Sequence, residues 1–256
     1  MIPPSFDYVA PKTISEAVAA LGQYENSKIL AGGQSLIPLM RFRLASPAVL
    51  VDLNRIEGLS YINEKDNWLR IGAMTRESAV EHSDLVSEKY SLLADTAKVI
   101  SDPIVRNLGT VGGNLANGDP GNDHPATMLA YGAEIVAVGP NGERVIPSTS
   151  FFLGLYESDL APNEILTEVR IPASKPHSGG AYLKLERKVG DFATAAVAAQ
   201  VELDADGHFA SVGVGLTNVG LTAIKATAAE EFLKGKAATD DNIRQAAKLA
   251  AEAAQP

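Results

Sequence analysis

Two short stretches of this 256-residue chain carry residues suited to holding an anion. The first is Lys28, Ile29, Leu30, Ala31, Gly32, Gly33, Gln34 and Ser35; the second is Gly109, Thr110, Val111, Gly112, Gly113 and Asn114. Each places paired glycines beside apolar residues and follows them with a hydroxyl or amide residue. Glycine lets the backbone approach a ligand closely and adopt positive φ, and successive backbone N–H groups form a concave anion site. Gln34, Ser35, Thr110 and Asn114 add neutral donors. Two such loops can grip a pyrophosphate from both sides without a lysine clamp. A lone glycine pair is most simply an ordinary tight turn; two pairs with matching flanks bring the ligand reading level with it. Neither is a phosphate loop, because no Gly-Lys-Ser/Thr follows, and neither is a G-x-G-x-x-G fingerprint.

Other chemistry is scarce. Cysteine is absent, which excludes disulfides, thiolate catalysis and cysteine-held zinc or iron–sulfur clusters in this chain. His82, His124, His177 and His208 are far apart and lack metal-ligand spacing. A structural role is favoured even for His124, which adjoins Asp123. The formal net charge of −9, without a basic cluster, argues against nucleic acid. Arg41, Arg43, a turn at Glu64-Lys65-Asp66 and the helical Glu230 and Glu231 are most simply solvated charges. The first residues lack the cationic start and apolar run of a signal peptide. No stretch is apolar enough to span a bilayer, so a cytoplasmic location is expected.

The elements that must position the glycine pairs follow from patterning. Thr13-Ile-Ser-Glu16 is a capping box ahead of a helix over 14–24. A strand precedes Gly32, Ser35 caps the turn after Gly33, and 48–53 reads as a strand. A hairpin joins 59–63 to 68–71. Helices are expected over 75–83 and 87–100, then a long Gly/Asn/Asp/Pro-rich loop over 101–125, then a helix over 123–131. Asn141-Gly142 marks a second hairpin, between strands over 135–138 and 144–146. A composition break at 172–180 suggests a domain boundary. Three strands (182–187, 195–203, 210–216) and two Ala-rich helices (225–234, 240–254) follow. The chain reads as α+β, with mostly hairpin-connected strands and no regular βαβ alternation.

Ala31-Gly-Gly-Gln-Ser35 and Thr110-Val-Gly-Gly-Asn114 resemble the paired FAD motifs of the flavoprotein subunits of molybdenum-containing hydroxylases. That family includes the medium subunit of aerobic carbon monoxide dehydrogenase and the flavin domain of xanthine dehydrogenase. Phe6-Asp-Tyr-Val-Ala-Pro11, the segment from Ile104 to Leu115, Asn117 to Ala126, and Lys184 to Ala193 extend the likeness over essentially the whole chain.

The resemblance implies an α+β fold. Residues 1–175 would form a two-lobed FAD-binding domain of the vanillyl-oxidase (PCMH) type, with lobes of about 1–55 and 56–175. Residues 176–256 would form a smaller α+β C-terminal domain of the carbon monoxide dehydrogenase type. FAD would be held non-covalently, with both glycine stretches on the pyrophosphate and ribityl. Ile100 would supply an apolar contact, and Asp123 would bond the ribityl or adenosine portion. Leu166, Lys184 and Phe192 would lie near the flavin ring. The position of Phe192 is often Tyr in the family, so a ring is kept and a hydroxyl lost. No cysteine-held insertion is possible here, and relatives usually continue past Gln255-Pro256 with a basic helix.

The function this implies is electron transfer. FAD would receive electrons from iron–sulfur centres in a small partner subunit. A large partner would carry the molybdenum cofactor, and the assembly would be a dimer of heterotrimers. Two alternatives stand beside it. One is a free-standing FAD reductase or oxidase similar to the enolpyruvyl-glucosamine reductases, and the other is a non-redox module for a phosphorylated ligand.

Overall fold

The capping box at Thr13 forms. Thr13 Oγ1 accepts from the Glu16 N–H at 3.1 Å, and the Glu16 carboxylate accepts from the Lys12 N–H at 2.8 Å. One donor orphaned at the helix start is thereby satisfied, and the second bond fastens the residue just ahead of the cap. The helix, Ile14–Gln23, buries Ala17 and Leu21 in a cluster with Val51, Leu53 and Ile165. The chain is described by a computed structural model over residues 2–255; Met1 and Pro256 lie outside the described residues.

The first lobe is an exception to the expected predominance of hairpin-connected strands. Strands β1 (Asp7–Val9), β2 (Ser27–Leu30) and β3 (Val49–Asp52) form a parallel sheet in the order β1-β3-β2. Parallel neighbours need crossovers, and the helices Ile14–Gln23 and Leu36–Arg41 provide them. Ser35 stands at the start of the second helix, but its side chain makes no capping bond there.

The second lobe is antiparallel. Its strands are β4 (Ile62–Lys65), β5 (Trp68–Gly72), β6 (Glu134–Gly139) and β7 (Gly142–Pro147). After a small hairpin of β8 (Phe152–Gly154) and β9 (Glu157–Ser158), β10 (Ile165–Pro172) enters the middle of the sheet, giving the order β4-β5-β10-β6-β7. The first hairpin turns at Asp66 and Asn67, both at positive φ (53° and 64°), which suits a mirror-image two-residue turn. Its first strand lies three residues later than expected. The second hairpin turns at Pro140-Asn141, with Gly139 opposite Gly142, so Asn141-Gly142 sits one residue past the tip.

Three helices stand where two were expected: Glu77–Glu81, Asp84–Lys89 and Ser91–Val99. Ser83 starts a new one by accepting from the Val86 N–H at 3.3 Å. The expected loop over 101–125 holds two further helices. Asp102 caps Pro103–Arg106, and Thr110 caps Val111–Ala116. Helix Asp123–Tyr131 has the expected bounds and closes on Gly132 at φ 64°.

The connection over 173–177 leads to an antiparallel sheet in the order β11-β12-β13-β14: Ser178–Leu185, Ala195–Leu203, Phe209–Thr217 and Ile224–Lys225. Helices Thr227–Leu233 and Asp240–Glu252 pack on it around Phe209, Val214 and Leu216. Helix Asp123–Tyr131 is seated on its other side, backbone against backbone. A Cβ on Gly213 would lie 1.8 Å from the Ala130 carbonyl oxygen, and one on Gly215 would lie 2.0 Å from that of Ala126.

Two expected surface charges are engaged. Glu230 accepts from the Val214 N–H at 2.7 Å and from Lys225 at 2.9 Å. Glu64 accepts from Lys89 at 2.6 Å and from the Tyr90 hydroxyl at 2.8 Å. Among the described residues no helix is long and apolar enough to cross a membrane.

Candidate cofactor-binding site

The two glycine stretches meet. A Cβ on Gly32 would lie 2.3 Å from the Leu108 carbonyl oxygen and 2.8 Å from Gly109 Cα. Only glycine permits that approach without moving backbone. Gly33 takes φ +72°, a left-handed conformation that other residues rarely adopt. The Gln34 side chain curls back onto the Gly32 carbonyl at 3.1 Å. From Gly32 to Leu36, no backbone N–H donates to an acceptor among the described residues. Five consecutive donors at a glycine turn form a cradle for an anion.

The second stretch is built differently from the expected turn. Gly112 and Gly113 lie inside the helix Val111–Ala116, and neither has positive φ. Their N–H groups are spent within the chain. Gly112 donates to the Ala73 carbonyl at 2.9 Å, and Gly113 to Thr110 Oγ1 at 3.2 Å. Gly112 is there for packing, since a Cβ would come within 2.5 Å of Ala73 Cβ. At Gly113 a Cβ would crowd the capping Thr110 Oγ1 at 2.7 Å and stand 3.4 Å from Ala31 Cβ, so the two stretches lie close here as well. The second stretch therefore offers side chains rather than a row of N–H groups. Asn114 Oδ1 is buried without a hydrogen-bond partner. That is an acceptor prepared for a ligand hydroxyl or an unseen water.

From Asn114 the site continues to the C-terminal domain. Asn122 Nδ2 donates to the Asn114 carbonyl at 2.9 Å, and Asn122 starts the helix whose first residue is Asp123. Asp123 is buried. Its Oδ1 accepts from the Tyr182 hydroxyl at 2.7 Å and its Oδ2 from Lys184 Nζ at 3.0 Å. Lys184 also donates to the Val99 carbonyl at 3.0 Å, beside Ile100 at the end of helix Ser91–Val99. Lys184 is thus not a surface charge; it is a buried clasp between domains. Burial raises the Asp123 pKa, against the opposing pull of the Lys184 charge and the Tyr182 hydrogen bond. Burial and the Asp123 charge raise that of Tyr182 well above the usual phenol range.

Beneath the second stretch lies a pair that motif searching does not find. His124 Nε2 is 2.7 Å from Glu77 Oε2, and both side chains are buried. Burial lowers the His124 pKa, but the Glu77 charge and hydrogen bond, helped by Asp123, outweigh it and leave it raised. The Glu77 N–H donates to the Gly109 carbonyl at 3.0 Å. The favoured structural role for His124 agrees with this placement.

The remaining expected residues divide. Phe192 is exposed and stands beside Gly121, two residues from Asp123. Ile100 is buried, and its carbonyl accepts from Arg106 at 3.0 Å. Leu166 lies in the core cluster with Ala73, Val111 and Leu115, covered by the chain itself. It supports the second stretch from below. Lys28 is exposed on β2, opposite Leu50. Ile29 packs on the first-lobe core, and Leu30 Cδ1 lines the Gly33 turn. Asn54, Arg76, Glu77 and Tyr182 are absent from the sequence expectations. Each is a single residue that reaches the site only through the fold.

The open cradle, the close approach of the two stretches and the orphaned Asn114 oxygen suit a dinucleotide with an anionic middle and hydroxyl-bearing arms. The class is that of two-domain FAD-binding proteins. Residues 4–174 match the family described as "FAD binding domain in molybdopterin dehydrogenase", and residues 180–256 match "CO dehydrogenase flavoprotein C-terminal domain". The medium chain of carbon monoxide dehydrogenase from Hydrogenophaga pseudoflava is 46% identical over 258 residues, covering 100% of this chain and 89% of that one. Subunit alpha of the 6-hydroxypseudooxynicotine dehydrogenase complex from Paenarthrobacter nicotinovorans is 36% identical, covering 100% and 87%. Solved structures of carbon monoxide dehydrogenase from Hydrogenophaga pseudoflava (TM-score 0.97, 48% identity) and of quinoline 2-oxidoreductase from Pseudomonas putida 86 (TM-score 0.92, 33% identity) superpose on the whole chain and on 89% of theirs. The chain belongs to the family of FAD-binding medium subunits of molybdenum hydroxylases, and is an oxidoreductase subunit.

Proposed function

We propose that this chain is the electron-transfer subunit of a molybdenum hydroxylase. It would take electrons from iron–sulfur centres of a small partner subunit and pass them to an external acceptor. A large subunit would hold the molybdenum cofactor, in a cytoplasmic dimer of heterotrimers. The observation that carries this reading is the row of five free N–H donors from Gly32 to Leu36, wedged against the second stretch at Gly32. FAD, when bound, supplies the redox chemistry, and the chain positions and tunes it.

Each role follows from local chemistry. The Gly32–Leu36 donors hold the pyrophosphate. Thr110, Gly113 and Asn114 bound the ribityl side, and Asn114 Oδ1 accepts a hydroxyl there. Asp123 contributes lone pairs left after Tyr182 and Lys184. Ile100 gives an apolar wall, and Phe192 covers the ring. Lys28, Ile29, Leu30 and Ala31 lead into the cradle, and Val111 and Leu166 back the second stretch. The domains are 1–175 and 176–256. Without cysteine the chain holds no iron–sulfur cluster of its own, which supports delivery of electrons by a partner.

The test is to purify the native complex, identify its chains by mass, and release the flavin by mild denaturation. FAD and two further subunits are expected. FMN, a flavin that stays attached to the chain, or a flavin-bearing chain that acts on its own organic substrate would overturn the reading.

A further inference from the structure

Under the meeting point of the two stretches runs a chain of hydrogen bonds that belongs to neither. Asn54 Nδ2 donates to the Ala31 carbonyl at 2.9 Å, at the entrance to the cradle. Arg76 Nη1 donates to the Leu108 carbonyl at 2.6 Å, at the entrance to the second stretch. The two side chains join each other, Arg76 Nη2 donating to Asn54 Oδ1 at 2.7 Å. The Leu108 oxygen held by Arg76 is the same atom that a Cβ on Gly32 would strike. Asn54 is itself fixed from the first lobe. Its Nδ2 also donates to Asp52 Oδ1 at 2.5 Å, its N–H to the same oxygen at 2.9 Å, and Tyr8 donates to Asp52 Oδ2 at 2.5 Å. Arg76 is fixed from the second lobe, where its backbone pairs with Thr110.

We propose that Asn54 and Arg76 are a positioning pair that staples the two FAD-holding stretches at working separation, and that Arg76 supplies the positive charge the pyrophosphate site otherwise lacks. This rests on the FAD reading above. Both acceptors of the guanidinium are neutral oxygens. Among the described residues no carboxylate oxygen comes within 4.0 Å of it. Partial burial lowers its pKa and outweighs the Asp52 charge, which raises it. A half-buried cation without an ion pair, beside five unclaimed N–H donors, leaves its charge for an anionic ligand. The Asn54 amide is oriented by its partners: its oxygen faces a pure donor, and its nitrogen faces a carbonyl and a carboxylate.

The experiment uses the full chain stripped of flavin and titrated with FAD at low and high salt. Circular dichroism and thermal melting report the fold. Arg76→Met is expected to weaken FAD binding about 100-fold, the loss of two charge-assisted hydrogen bonds, and to flatten the salt dependence. Arg76→Lys restores the charge without the fork, so salt dependence returns while affinity stays about tenfold low. Asn54→Leu is expected to cost about tenfold, and the Arg76→Met/Asn54→Leu double variant to be no worse than Arg76→Met, since one staple is removed once. Asn54→Asp keeps the Arg76 contact but loses the donor to Ala31, and is expected to lose about tenfold even if the methionine variant fails to fold. Affinity for Arg76→Met or Asn54→Asp within about twofold of the parent, or fully additive losses, would overturn the staple while leaving the FAD reading intact. A parent chain that takes up no FAD would overturn both.

Discussion

Lys184 Nζ lies 3.0 Å from Asp123 Oδ2, with the two side chains 3% and 6% exposed. This contact links β11 of the C-terminal domain to the first residue of a helix in the FAD-binding domain. Breaking a buried pair on one side leaves an uncompensated charge, at a cost of about 3–5 kcal/mol. Lys184→Ala is therefore expected to lower the thermal midpoint strongly at neutral pH. Asp123 already has a raised pKa from burial, and losing Lys184 raises it further. A carboxyl raised on folding favours the fold when protonated, and that support is lost as pH rises through its folded pKa. The deficit of Lys184→Ala relative to the parent should thus shrink on acidification. Equal deficits from neutral to acid pH, in denaturant titrations, would mean that Asp123 is not left ionised and buried.

The cradle predicts a ranking of glycine variants. In Gly32→Ala the new carbon meets the Leu108 carbonyl, which is backbone and cannot swing aside. In Gly33→Ala it meets the ends of the Ile37 and Leu30 side chains, which can, leaving the φ strain of roughly 1–3 kcal/mol. Flavin content per folded chain should fall further for Gly32→Ala than for Gly33→Ala. Gly33→Val and Gly113→Val should both lose flavin. Full occupancy in Gly32→Ala would separate the loop contact from cofactor retention.

His124 gives a pH prediction of its own. Its folded pKa is raised above 6.5 by Glu77 and Asp123, in spite of burial. Its contribution to stability is fully present below the unfolded value and is lost as pH rises through the folded one. His124→Gln cannot take up that proton. The stability advantage of the parent over the variant should therefore narrow above pH ~6.5. An advantage constant across that range would show the pair to be neutral throughout.

Phe192 is 63% exposed and stands beside Gly121. Phe192→Ala should shift stability by no more than about 0.5 kcal/mol, as for most surface changes. FAD should stay bound while the reduced protein reacts with oxygen at a changed rate, read by oxygen consumption. An unchanged rate would remove the ring from the flavin's surroundings.

Legibility in the sequence followed from how local each signal is. The capping box at Thr13, the helix Asp123–Tyr131 and the strand Ala195–Leu203 depend on neighbouring residues, and the structure has them within a residue of expectation. The central strand Ile165–Pro172 carries Glu168 and Arg170, which pair with each other at 2.5 Å in the fold but interrupt the apolar pattern in the sequence. The two glycine stretches look alike as strings. One is a left-handed turn and the other a helix start, because Thr110 caps the second with its hydroxyl whereas Ser35 leaves the first open. The partners Asn54–Arg76 and Glu77–His124 are 22 and 47 residues apart. No pattern in the sequence announces such pairs before the lobes are assembled.

Helix Asp123–Tyr131 rests on β13 at Gly213 and Gly215 without intervening side chains. Two main chains in direct contact have nothing compressible between them, so this seam works as a weld rather than a joint. The boundary at the connection over 173–177 is therefore braced by this seam rather than left as a hinge. On the function proposed above, the C-terminal domain would stay seated while an electron acceptor reaches the flavin. Access would then be set by the loops at the rim, among them the β11–β12 connection that carries Phe192. Substitutions at those rim residues would then alter access while the body of the subunit stays still.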